Sequence, residues 1–170
     1  MAFQSFQEIL EICREQNRAF WEIVAADDLN ERGVTMEESM SSMRHLWLTM
    51  VESSQSYEKE SRSNSGLVGG DGGKMLEYTR EQEPLGGRFL GEVIAEALCM
   101  GESNACMKRI VAAPTAGACG VLPAVLIPLW RREQIPEEEI LRALYTAAGI
   151  GQVVAARAYF AGASGGWQGE

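Results

Sequence analysis

Apolar residues Phe3, Phe6, Ile9, Leu10, Cys13, Phe20, Ile23 and Val24 recur at helical spacing and predict a first helix over residues 4–26. Thr35, followed three residues later by Glu38, has the form of a capping box. Met36, Met40, Met43, Trp47, Met50 and Val51 carry a second helix on from it to about Tyr57. A turn containing Gly33 joins the two into a hairpin. The methionine stripe reads as a core seam, with an adaptable binding groove as the alternative. Residues 59–65 are polar and read as a linker, and residues 66–87 as a Gly-rich irregular stretch. Phe89, Leu90, Val93, Ile94, Ala97 and Leu98 mark a third helix, and part of 119–132 a fourth. Pro136 is expected at the first helical position ahead of Glu137, Glu138 and Glu139, which suit the positive end of a helix dipole. That helix should stop at Ala148, where Gly149 and Gly151 interrupt the pattern, and a last one should run over 152–161. Nothing alternates with period two for long, so the fold class is mainly α, a helical bundle with Gly-rich loops.

Composition divides this pattern in two. Residues 1–60 hold 12 acidic and 5 basic residues and one glycine, whereas residues 61–170 hold 12 acidic, 10 basic and 17 glycines. The first part therefore reads as an acidic helical hairpin, and the second as a Gly-rich, nearly neutral unit where backbone can approach a ligand closely. A chain of 170 residues can bury roughly 70% of its unfolded surface. With 46% hydrophobic and 23% charged residues, it is neither disordered nor disulfide-stapled. A net charge of -9 without a basic stripe argues against nucleic acid as a partner.

The first ten residues lack a basic and an apolar signal region, which suggests a cytoplasmic protein whose four cysteines (13, 99, 106 and 119) are reduced thiols. Residues 110–130 run uncharged for 21 positions between basic flanks, the length of a membrane span. Pro114, Pro123, Pro128, Gly117 and Gly120 break that stretch and favour a buried core segment, so no membrane is expected.

Several segments invite a chemical reading. GGDGGK at 69–74 fails the phosphate-loop pattern, because Val68 and Met75 stand where a glycine and a hydroxyl residue are needed. Gly149, Gly151 and Val154 fail the dinucleotide fingerprint in the same way. Both segments fit turns and close helix contacts as well as they fit ligand loops. His45, the only histidine, supports no triad or zinc site by itself, and the cysteine spacing is as consistent with small buried residues as with a metal set. The sharpest feature is ESNACMKRIVAAPTAGACG at 102–120, a small-residue loop placed directly before an apolar helix. Backbone N–H groups at such a start can hold a carboxylate or phosphate, with Thr115 adding a hydroxyl. GASGG at 162–166 offers a second loop with Ser164. Tight interhelix packing is the competing explanation for both.

GGDGGK, ESNA (102–105), IVAAPTAGACGVLPAVL (110–126), YTAAGIG (145–151) and GASGGWQGE (162–170) together resemble the alpha chain of the iron–sulfur-dependent L-serine dehydratases. The resemblance covers residues 66–170. It implies conversion of L-serine to pyruvate and ammonia, with a 4Fe-4S cluster as Lewis acid and a carboxylate pocket shaped by Asn104, Thr115, Gly117, Gly120 and Ser164. Asp71 and Lys74 match the family's GGD-K block without an assigned step. The resemblance also implies a beta chain, or a homo-oligomer, as partner, because the family's Ser-Ser-His-Thr segment does not occur here.

The sequence departs from the family where relatives place a cluster cysteine, since Trp167 stands at that position. The remaining ligand cysteines of the family lie in a continuation, and Cys99, Cys106 and Cys119 do not match them. Clusters need several thiolates. The 170 residues are therefore expected to hold no cluster, to be inactive alone, and to form the front of a larger helical unit with an exposed apolar face. Binding a beta-type chain without catalysis is the alternative function. A plain small-anion-binding domain is a third.

Overall fold

A computed structural model describes residues 3–158. All its regular structure is helical: α1 (Phe6–Gln16), α2 (Phe20–Arg32), α3 (Met36–Gln55), α4 (Asp71–Glu81), α5 (Arg88–Ala105), α6 (Val121–Glu133) and α7 (Glu137–Ala155). The mainly α reading holds. Two compact units can be told apart, one built from residues 1–45 and 136–170 and the other from 46–135. They divide the chain by packing, whereas 1–60 and 61–170 divide it by composition.

In the unit formed by the two chain ends, the first helix is not continuous. Asn17 takes a left-handed backbone (φ 49°) and closes α1 on the carbonyls of Arg14 and Cys13, a conformation asparagine tolerates better than most residues. The chain restarts at Ala19, whose N–H is held by the Glu22 carboxylate at 2.8 Å. The α3 start follows the sequence reading: the Thr35 N–H donates to Glu38 at 2.8 Å and the Glu38 N–H donates to Thr35 Oγ1 at 3.3 Å. Pro136 lies one position earlier than expected, capping α7 from outside, with Glu137, Glu138 and Glu139 in the first turn. The expected stop at Ala148 does not occur: α7 runs to Ala155 and takes in the start of the helix expected over 152–161, of which residues 159–161 lie outside the described residues. Gly149 is helical because α2 lies against it: a Cβ there would come 2.9 Å from the Phe20 ring. Ile9, Ile23, Val24, Tyr145 and Val153 form the core of this unit. The buried Ser39 hydroxyl donates to Asp28 at 2.5 Å, so Tyr145, also 2.5 Å from Ser39 Oγ, donates its own proton to Ser39.

The 46–135 unit is held by α4 on α5 and α5 on α6. Trp47 is fully buried and meets Trp130 edge-on, with ring centroids 5.5 Å apart. The stretch read as irregular contains α4. Its glycines argued against a helix by propensity, yet α5 comes close at Gly72, where a Cβ would lie 2.9 Å from the Cys99 backbone nitrogen. Residues 110–120 precede α6 as a loop, and no helix among the described residues is long and apolar enough to cross a membrane.

Candidate functional site

The ESNA segment at the end of α5 ties two motif blocks together. Glu102 is 6% exposed, and its carboxylate faces the first turn of α4. The Gly70 N–H donates to Oε2 at 3.1 Å, and those of Asp71 and Gly72 to Oε1 at 2.7 and 3.2 Å. The Tyr57 hydroxyl donates to Oε2 at 2.6 Å and accepts the Gly73 N–H at 2.9 Å. Four backbone donors that a helix start leaves unsatisfied are thus met by a single carboxylate and its tyrosine. Gly70 makes the turn possible, since its φ of 88° is open to glycine and to few other residues. The GGDGGK block does make an anion nest, and the anion is the chain's own Glu102. Burial and this hydrogen bond to Glu102 push the Tyr57 hydroxyl well above its ordinary value, so it keeps its proton as a donor.

Two residues further on, the Asn104 side-chain amide donates to the Ala116 carbonyl at 3.0 Å and anchors the PTAGACG loop. Within that loop the Ala118 N–H donates to Thr115 Oγ1 at 3.4 Å and the Val121 N–H to the Ala118 carbonyl at 3.1 Å. Gly117 is exposed at the loop surface. Gly120 caps α6 without side-chain help, and a Cβ on it would lie 3.2 Å from the Ala97 carbonyl. The loop is thus tied to α5 through Asn104, with Thr115 holding a turn within it and Gly117 at its outer edge. Asp71 and Lys74 are away from this seam. They pair with each other at 2.8 Å, both mostly exposed, and the Lys74 hydrogen bond holds the Asp71 carboxyl below its usual range. Ser164 and Trp167 lie outside the described residues.

Two thiols of this unit, Cys99 and Cys119, are buried, and Cys106 is half-buried. Cys99 is buried against Gly72, and desolvation with the nearby Glu96 and Glu102 carboxylates pushes it up to about 12. Cys119 is 1% exposed, lies 3.9 Å from the Met100 carbonyl, and is raised by burial. No three His, Cys, Asp or Glu residues come together as a metal site among the described residues. His45 is exposed on α3.

Sequence reasoning singled out Asn104 and the loop, and missed Glu102 and Tyr57. The available signal was an acid at Glu102 on the same turn as the apolar Cys99 and Met100, a position that needs a partner when buried.

The sequence profile of the serine dehydratase alpha chain matches residues 7–170. The chain belongs to the serine dehydratase alpha-chain family. The probable L-serine dehydratase alpha chain of Bacillus subtilis is 32% identical over 168 residues, covering 99% of this chain and 56% of that protein. The L-serine dehydratase alpha chain of Peptoniphilus asaccharolyticus is 30% identical over 96% of this chain and 56% of its own length. The L-serine dehydratase of Mycobacterium tuberculosis is 32% identical over the whole of this chain and 38% of its own. The chain thus spans about half the length of the first two relatives. No solved structure matches it.

Proposed function

We propose that this chain supplies the helical front of a cytoplasmic L-serine dehydratase, in which loop 110–120 receives the substrate carboxylate and further alpha-chain residues, together with a beta-type chain or a second copy, supply the rest of the site. The observation that carries this is the double tie made by ESNA: Glu102 holds the GGDGG turn and Asn104 holds the PTAGACG loop, so the family's motif blocks are fixed around one helix end. A loop fixed before substrate arrives can present N–H donors without further ordering. Asn104, Thr115, Gly117 and Gly120 shape this carboxylate pocket, and the reaction yields pyruvate and ammonia. Because Trp167 stands where the family places a cluster cysteine and Cys99 and Cys119 are buried, the 170 residues alone hold no cluster and turn over no serine.

Two experiments test this. The first is anaerobic reconstitution of the chain with iron and sulfide, with and without a beta-type chain. It should give neither iron–sulfur absorbance nor serine-dependent pyruvate, including after Trp167→Cys, and either signal would overturn the inactivity. The second places residues 102–120 of this chain into a full-length active relative. The chimera should keep serine turnover, and Asn104→Ala within it should lower kcat/KM by about tenfold or more through loss of a hydrogen bond to the loop. An inactive chimera, or an unchanged kcat/KM, removes the substrate role.

A second reading, a non-catalytic module that binds a beta-type chain, is favoured by Leu90, Ile94 and Leu98. These recur every fourth residue on α5 at 48%, 42% and 38% exposure. Co-purification that fails when Ile94→Asp is introduced would support it, and a stable monomer indifferent to the beta-type chain would count against it.

A further inference from the structure

The 46–135 unit has a second concave place that the loop reading leaves unused. A cleft of about 430 Å³ is lined by Arg80 at the end of α4, Arg88 at the start of α5, and Arg131 and Arg132 at the end of α6, with Glu92 and Glu96. Four guanidinium groups against two carboxylates line it, an arginine-rich place in a chain whose net charge is -9. Local pairing does not explain the cluster. Arg88 is 3.8 Å from Glu83 and Arg132 is 3.4 Å from Glu133, in pairs more than half exposed on both sides, which hold such side chains weakly. Arg80 is in no ion pair among the described residues. The helix that begins at Arg88 has no side-chain cap and no acid in its first turn, so its positive end adds to the field.

At the other extreme is Glu96, only 7% exposed. Ser54 hydrogen-bonds its carboxyl and Arg131 lies near it, yet its Oε1 is buried with no hydrogen-bond partner. Such an acceptor is costly to leave empty and calls for a donor. A guanidinium fork matches phosphoryl oxygens well, and Arg80 is left without a carboxylate partner among the described residues.

We propose that this cleft binds a small phosphate monoester, its dianionic phosphoryl group held by Arg80, Arg88 and Arg132 and a hydroxyl of its organic part donating to Glu96 Oε1. The site is separate from loop 110–120 and does not depend on serine turnover.

Isothermal titration of the whole chain at low ionic strength, with glycerol 2-phosphate, inorganic phosphate and succinate, tests it. Glycerol 2-phosphate should bind most tightly, inorganic phosphate more weakly, and succinate least. Arg80→Ala, at an exposed position that folding does not need, should weaken both phosphates by about tenfold. Glu96→Leu should remove the preference for glycerol 2-phosphate over inorganic phosphate without weakening the binding of inorganic phosphate. No heat at millimolar phosphate ester, affinity indifferent to Arg80→Ala, or succinate binding as tightly as the ester would each overturn the proposal.

Discussion

Helices α3 and α4 both begin on a glutamate, and they do so in opposite ways. At α3 the acid is Glu38, three residues from the Thr35 it serves, exposed, and exchanging hydrogen bonds within one turn. At α4 the acid is Glu102, buried on another helix some thirty residues on, and it collects the N–H groups of Gly70, Asp71 and Gly72 with Tyr57 alongside. The local cap starts a helix that its own sequence already favours. The remote cap makes a helix out of a glycine stretch with little propensity of its own, and in doing so it fastens α4 to α5. Short-range caps are trimmings on stability, whereas a long-range cap is part of the tertiary structure.

The strongest way to break this contrast is Glu102→Ala. Three buried or half-buried N–H groups and a tyrosine hydroxyl lose their acceptor, which should cost about 2–4 kcal/mol. The loss should read out as a lower denaturant midpoint and faster amide exchange at residues 70–73. A cost below that of removing Thr35 Oγ1 would mean that water replaces the carboxylate without penalty.

Next in size is the glycine at the second position of α4. Gly72→Ala would place a methyl against the Cys99 backbone nitrogen, which cannot rotate away as a flexible side chain can, and about 1–3 kcal/mol should be lost. Gly101→Ala is the counterpart on α5, where a Cβ meets nothing within 4 Å. There the substitution should stabilise by about 0.5–1 kcal/mol, the usual gain from replacing a mid-helix glycine. Thermal melts of the two variants should move in opposite directions, and equal shifts would show that close approach is not what selects Gly72.

The same contrast explains what was legible in the sequence. The Thr35–Glu38 box, the acidic start of α7 and the apolar faces of α3 and α5 are written within a few residues of where they act, and they appear where expected. The break at Asn17 was legible in principle, through an asparagine able to turn left-handed and Glu22 three residues after Ala19, but the apolar spacing of Ile9, Cys13, Phe20 and Val24 runs through it. α4 and the length of α7 depend on partners distant in the chain. Gly72 and Gly149 read as breakers because the neighbours that require a missing side chain, Cys99 and Phe20, are named nowhere near them. The loop at 110–120 could be picked out by composition and its anchor Asn104 by motif, while the role of Glu102 needed the fold.

A smaller effect, on the local side, is Thr35→Ala. Loss of the hydroxyl that accepts the Glu38 N–H should cost about 1 kcal/mol and leave amide exchange at residues 70–73 unchanged. Protection lost at both helix starts would erase the distinction between a local and a tertiary cap.

The smallest expected effect is a pH dependence. The Thr35 N–H and hydroxyl, donating to Glu38, hold its carboxyl below the ordinary 4.5. A carboxyl whose folded value is depressed binds its proton less readily in the folded chain than in the unfolded one, so unfolding takes up protons. Its contribution is fully present above about 4.5 and is lost as pH falls through the depressed folded value. Glu38→Gln keeps an acceptor for the capping box but cannot titrate. The stability difference between wild type and Glu38→Gln should therefore stay constant from neutral pH down to about 4.5 and shrink below it. A difference that stays flat through the acid range would mean that the Glu38 charge contributes nothing, leaving α3 capped by hydrogen-bond geometry alone.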